Sequence, residues 1–328
     1  GPTGPDRRTR PRGPTSMQAT EQRALLTIAL LAAFADGDKS DTERAEIKRI
    51  ADSLASDSGA PQMAGLYQGV LLKRVNLAQA AAALPEAGHR QLAYEMALCV
   101  CDADGAQSTA EQAFLAQLKS VLKLGAAQTA HAEHEADAIA AVPVTPAGPV
   151  PAVVQAADAA ALDRSILQYA ILNGALELLP QSWASMAIIP LQMKMVYRIG
   201  QAHGHTLDKG HIKEFIAAAG VGLTSQYLEQ FGRKLLGGLL GKVGGGIGRG
   251  VGSAATGIAF SFASTYALGQ LAKRYYGGGR QMNTAVLQQT FQSLLGPAKD
   301  LQQQYLPQIQ DKARTLDAGQ ILQMVKSA

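Results

Sequence analysis

Aromatic residues are scarce, at 5% of 328 residues with a single Trp. β-Branched runs are equally rare, and no long stretch alternates apolar and polar residues. Those two absences exclude a β-sandwich or a barrel. Only two cysteines are present, Cys99 and Cys101, which excludes a disulfide framework. Helical neighbours two apart point to different faces, so two buried thiols in a reducing compartment are expected. A redox pair or a soft-metal site is the alternative. No secretory signal is visible, because the first apolar run, Ala24 to Phe34, is amphipathic and ends in an acidic turn. Catalytic signatures are missing too. Gly241-Lys242 is followed by Val243, and position 236 is Leu, so a phosphate-binding loop fails. No nucleophile–base pair or open metal set can be assembled, so the chain is expected not to be an enzyme.

What is abundant is Ala and Leu within a 47% hydrophobic composition. These are helix formers, and the expected fold is all-α, as two helical domains joined by an Ala/Pro-rich linker. Residues 1–16 hold four Arg among Pro and Gly and are read as a disordered tail or a remnant of processing. Residues 17–126 form the first domain. Residues 127–163, with Pro143, Pro146, Pro149 and Pro151, read as a semi-rigid tether. Residues 164–328 form the second domain, with amphipathic helices expected over 283–295 and 298–314.

Charge divides along the same lines. Residues 17–126 carry 10 basic and 13 acidic groups, whereas residues 166–328 carry 15 basic and seven acidic. A basic half suits an anionic membrane surface or an acidic partner. Its few aromatics are not interleaved with Lys and Arg, so nucleic acid is not expected.

Two matching acidic turns stand 68 positions apart, Ala35-Asp36-Gly37-Asp38-Lys39-Ser40-Asp41-Thr42-Glu43 and Ala103-Asp104-Gly105-Ala106-Gln107-Ser108-Thr109-Ala110-Glu111. Such repetition implies a duplicated supersecondary unit. Ser40 with Glu43, and Ser108 with Glu111, fit the S-x-x-E capping box. Capping explains Ser, Glu and Gly. It leaves Asp36, Asp38 and Asp41 crowded, and Asp102 beside Asp104, where a divalent cation such as Ca²⁺ or Mg²⁺ would relieve repulsion. The candidate ligands are Asp36, Asp38, Glu43, Asp104 and Glu111. Neither turn is an EF-hand, since the twelfth position from Asp36 is Ile47. His131, His134 and Glu135 would also share a helix face. A solvated helix end explains them more simply than a metal, and His203, His205 and His211 read as turn-surface residues.

Phe34-Ala35-Asp36-Gly37 and Asp102-Ala103-Asp104-Gly105, with Glu43 and Glu111, resemble the tellurite-resistance TerB family over roughly residues 17–126. The resemblance implies a compact helical domain whose two acidic turns meet as a proposed metal site. It also implies a link to stress response and membrane-associated complexes. Ala106 replaces the acidic residue that the first turn has at Asp38, which departs from that pattern.

The second domain has Gly237, Gly241 and Gly245, and Gly244, Gly248 and Gly252, at four-residue spacing. That spacing fits either close helix–helix approach, within the chain or between copies, or a flexible loop. Val251 to Ala272 carries no charge and is flanked by Lys242 and Arg249 before it and Lys273 and Arg274 after it. A buried core helix, a peripheral membrane helix and a span all remain open. Residues 188–200, Ile188-Ile189-Pro190-Leu191-Gln192-Met193-Lys194-Met195-Val196-Tyr197-Arg198-Ile199-Gly200, then Gly204 and Thr265 to Gly269, resemble the YcjF-type domain. That domain is often attached to small GTPases at membranes. The expectation is therefore a bacterial-type cytoplasmic adaptor or scaffold with a protein partner, a GTPase among the candidates, that associates with the inner membrane. The alternative is a divalent-metal sensor.

Overall fold

The protein is described here by a computed structural model. It describes residues 19–37, 39, 41–57, 62–103, 107–140, 158–179, 182–236, 251–317, 320–321 and 323–324. Among the described residues there are thirteen α-helices and no strand. An all-α fold follows from a composition rich in helix formers whose apolar residues recur at helical spacing.

The front half holds α1 (Ala19–Ala33), α2 (Asp41–Asp57), α3 (Gln62–Leu71), α4 (Leu77–Ala82), α5 (Ala87–Cys101), α6 (Thr109–Val121) and α7 (Ala126–Ala140). α1 and α5 are the central pair. Each is apolar around most of its circumference, and the run from Met96 to Cys101 is fully buried. A helix apolar all round must be enclosed, and α5 is covered by α1, α6 and α7. α7 begins the stretch read as a tether, yet it packs. Ala132 and Ala136 are buried, and Glu133 accepts hydrogen bonds from Tyr94 (2.6 Å) and Lys119 (2.5 Å).

The back half holds α8 (Ala159–Leu178), a 3₁₀ segment (Ser182–Ala187), α9 (Ile188–Ala202), α10 (Lys209–Ala218), α11 (Leu223–Leu236), α12 (Val251–Gly277) and α13 (Thr284–Thr315). α8 packs on α12, and both pack on α9 and α13. Close approach is achieved at Gly269, where a Cβ would collide with Ile166. α13 runs unbroken through Pro297 and Pro307, where two shorter helices are expected from the sequence. Each proline removes one backbone donor, but both sit on the exposed face, where the freed carbonyls are open to solvent. The glycine-rich stretch 237–250 and the side chains of 251–260 lie outside the described residues, as do the side chain of Trp183 and residues 1–18 and 141–157.

α11 belongs to both halves. It packs on α1, α2 and α5 of the front half and on α12 of the back half. A Cβ at Gly232 would collide with Leu54 of α2. Gln22 of α1 donates to the Leu235 carbonyl (3.1 Å), and Arg233 pairs with Glu229 (2.8 Å) while reaching Ser53 of α2 (3.5 Å). The buried apolar residues accordingly form one continuous cluster from Ala24 to Ile321. Among the described residues, no helix is long and apolar enough to cross a membrane.

Candidate functional site

Cys101 ends α5, directly before Asp102 and the second acidic turn. Its thiol is fully buried, and burial pushes its pKa far up. The nearby charges of Glu111 and Asp102 push the same way, Lys39 opposes them, and Asp36 adds a smaller upward push.

The second turn is a completed helix cap. Ser108 Oγ accepts from the Glu111 amide (3.1 Å), and Glu111 Oε1 accepts from the Ser108 amide (2.9 Å). This is the capping box expected from the S-x-x-E spacing. Glu111 is buried in it. Asp102 is also buried, and its Oδ1 accepts from Gln107 (2.8 Å). In the first turn, Gly37 takes the left-handed conformation, with φ of 69°. Lys39 then turns inward. Its ammonium lies 3.9 Å from Asp36 and 3.4 Å from Glu43, and it donates to Thr224 Oγ1 on α11 (3.3 Å). A protein cation thus lies beside the first turn's carboxylates and ties the turn to α11.

Of the five predicted ligands, Asp36 and Glu43 meet at Lys39, and Glu111 is engaged in its cap. Asp38 and Asp104 lie outside the described residues, as do Ser40, Gly105 and Ala106. Among the described residues, no three His, Cys, Asp or Glu side chains form a group able to hold a metal ion. The side chains of His131 and Glu135 are not described. His203 bonds the Ile199 carbonyl (2.9 Å) and His205 the Tyr276 carbonyl (3.0 Å), which places both in helix-end packing. The cysteines are free, and both are buried. Burial pushes the Cys99 thiol well up, and the charges of Glu95 and Asp102 push the same way while Lys234 of α11 opposes them.

A second cluster is one that sequence reasoning missed. Lys234 on α11 is buried and donates to the Leu179 carbonyl (3.3 Å) and to Ser185 Oγ (3.4 Å). Gln230, one turn earlier, donates to the same hydroxyl. Glu177 of α8 is buried too and accepts from the Ser261 amide (3.1 Å). Burial raises the Glu177 carboxyl and lowers the Lys234 amine, and each charge partly counters the other's shift. An amine beside a serine is the arrangement of a serine–lysine nucleophile. Here both groups are sealed inside the core, and Ser185 already accepts from Gln230, so the arrangement reads as structural. The available signal was the i, i+4, i+8 spacing of Gln226, Gln230 and Lys234.

At one end of the back half, basic groups gather. α8 and α12 run antiparallel. Asp163 accepts from Gln270 (3.0 Å) and pairs with Lys273 (2.8 Å), while ten residues further along α8 Asn173 meets Thr265. Arg198, near the end of α9, lies 5.8 Å over the Tyr169 ring of α8. The start of α8 and the ends of α9 and α12 therefore share one end. Arg164, Arg198, Arg274 and Arg280 are exposed there. None of the four forms an ion pair with a described carboxylate. Asp163 is held by Lys273, and Asp208 is engaged by the cap of α10, accepting from the His211 amide (2.8 Å).

Residues 3–136 match the family described as "Protein of unknown function (DUF533)", which is a TerB-like family. The match takes in the front module, both acidic turns and most of α7. No curated protein and no solved structure matches the chain.

Proposed function

We propose that the protein is a non-enzymatic adaptor that couples an acidic TerB-like module to an anionic membrane surface through its basic back half. The observation that carries this reading is the arginine end of the bundle. Four exposed guanidinium groups share one end, none in an ion pair with a described carboxylate, and Asp163 beside them is held by Lys273. Such a surface attracts anionic headgroups, each basic group near the surface contributing on the order of 1 kcal/mol. Val286, 40% exposed in the first turn of α13, adds an apolar contact at the same end. The YcjF-like motifs of α9 and α12 support a GTPase-linked role, in which guanine nucleotide would arrive with a partner. The TerB-like front module supports a stress-related role at the inner membrane.

The test is flotation with liposomes containing phosphatidylserine or phosphatidylglycerol at low salt. The protein is expected to float, and replacing the four arginines with serine should cut the floated fraction at least tenfold. A wild-type protein that stays entirely below the lipid would end the reading.

A second reading is supported by the ammonium of Lys39 lying beside Asp36 and Glu43: a divalent-metal sensor with Lys39 as the resident cation. Lys39→Met should then bind Ca²⁺ or Mg²⁺ more tightly than wild type. A ligand present at about 100 times its Kd raises stability by about 2.7 kcal/mol. Thermal shift with Ca²⁺, Mg²⁺ and Zn²⁺ measures this, and unmoved melting points in both proteins up to millimolar metal would retire it.

A further inference from the structure

The interior of the back half is unusually polar. Asn173 of α8, Gln192 of α9, Gln226 of α11 and Thr265 of α12 are all buried, at 0 to 3% exposure. They form one hydrogen-bonded cluster. Thr265 Oγ1 accepts from Asn173 Nδ2 (3.0 Å) and from Gln192 Nε2 (3.1 Å). Gln192 Nε2 also donates to Gln226 Oε1 (2.9 Å), and Asn173 Nδ2 to the Ile188 carbonyl (3.3 Å).

The other polar atom of each amide is left over. Asn173 Oδ1, Gln192 Oε1 and Gln226 Nε2 are buried without a hydrogen-bond partner among the described residues, and so is Glu177 Oε1 one turn along α8. Exchanging the oxygen and nitrogen of an amide does not help. Turning over Gln192 and Gln226 together would leave a nitrogen and an oxygen stranded in their place. A buried polar group without a partner is expensive, and proteins fill such places with ordered water. The cluster strands both acceptors and a donor, a mixture that suits a neutral molecule able to give and accept. Neither a cation nor an anion satisfies both kinds.

We propose that this cluster is a built site for internal water, shared by α8, α9, α11 and α12. Water there accepts from Gln226 Nε2 and donates to Asn173 Oδ1 and Gln192 Oε1. α11 presents its other side to α1, α2 and α5, so the hydrated cluster lies behind the element that joins the two halves.

The full-length protein provides the test. Oxygen-17 relaxation dispersion of the solvent counts waters that remain bound longer than the protein takes to tumble. The double variant Asn173→Leu/Gln192→Met should lose at least one such water relative to wild type, while Tyr67→Phe, at a distant buried hydroxyl, should lose none. Should the double variant not fold, rotating-frame cross-relaxation in the wild type decides, because the Gln226 side-chain amide protons must show a direct peak to water. Absence of that peak, or equal dispersion in wild type and the folded double variant, would overturn the site.

Discussion

Lys234→Met should destabilise the protein by about 1–3 kcal/mol, the cost of leaving the buried Leu179 carbonyl and Ser185 without this donor, with the loss of a positive charge that Glu177 feels adding to it. The Glu177→Gln/Lys234→Met double variant should recover the part that comes from Glu177. The reason lies in the environment of the pair. Both groups are buried, with Glu177 raised and Lys234 lowered from their ordinary values by that burial. Removing the ammonium deprives the carboxylate of its favourable charge and leaves it a backbone amide from Ser261. The pH dependence has a definite sign. A carboxyl whose folded pKa is raised, here to about 7 from 4.5, contributes stability below 4.5 and loses it as pH rises through the folded value. An amine whose folded pKa is lowered behaves oppositely: its contribution is present above its ordinary value and lost as pH falls through the lowered one. Lys234→Met removes the second effect and strengthens the first. Its stability should therefore fall more steeply than that of wild type from about pH 5 to about pH 8. Urea denaturation across that range measures it. An equal loss in single and double variants, with no added pH slope, would show that the pair is not coupled.

Phe231→Ala should cost about 3–5 kcal/mol, the usual range for deleting a buried aromatic side chain. Phe231 is fully buried on α11 and stacks with Tyr227, whose hydroxyl donates to the Met186 carbonyl (3.1 Å). Its loss should be felt beyond the back half, because α11 is also packed on α1, α2 and α5.

Much of this architecture is legible in the sequence. The helices follow from apolar spacing, and the cap of α6 follows from Ser108 and Glu111. The separation of Cys99 from Cys101 follows from helical geometry alone. The acidic repeat announces two related helix entries, though not that Lys39 would turn inward between Asp36 and Glu43. That placement depends on Thr224, 185 positions away. The role of α11 is hidden for a similar reason. Gln226, Gln230 and Lys234 carry the spacing of a solvated face, and tertiary packing overrides that pattern by enclosing the helix on every side. α7 was obscured by its own composition. Its Ala-rich stretch with acidic and histidine residues resembles a frayed end, and only Tyr94 and Lys119 meeting Glu133 show why it stays packed. In α13, Pro297 looks like a break between two helices until its exposed position is known.

The measurement that bears most directly on the account is amide hydrogen exchange, residue by residue, in the full chain with and without Phe231→Ala. A shared α11 predicts that protection in α1 and α5 falls together with that in α8 and α12, by similar free energies. Loss confined to α8 and α12, with α1 and α5 as protected as in wild type, would show two independent folding units and contradict it.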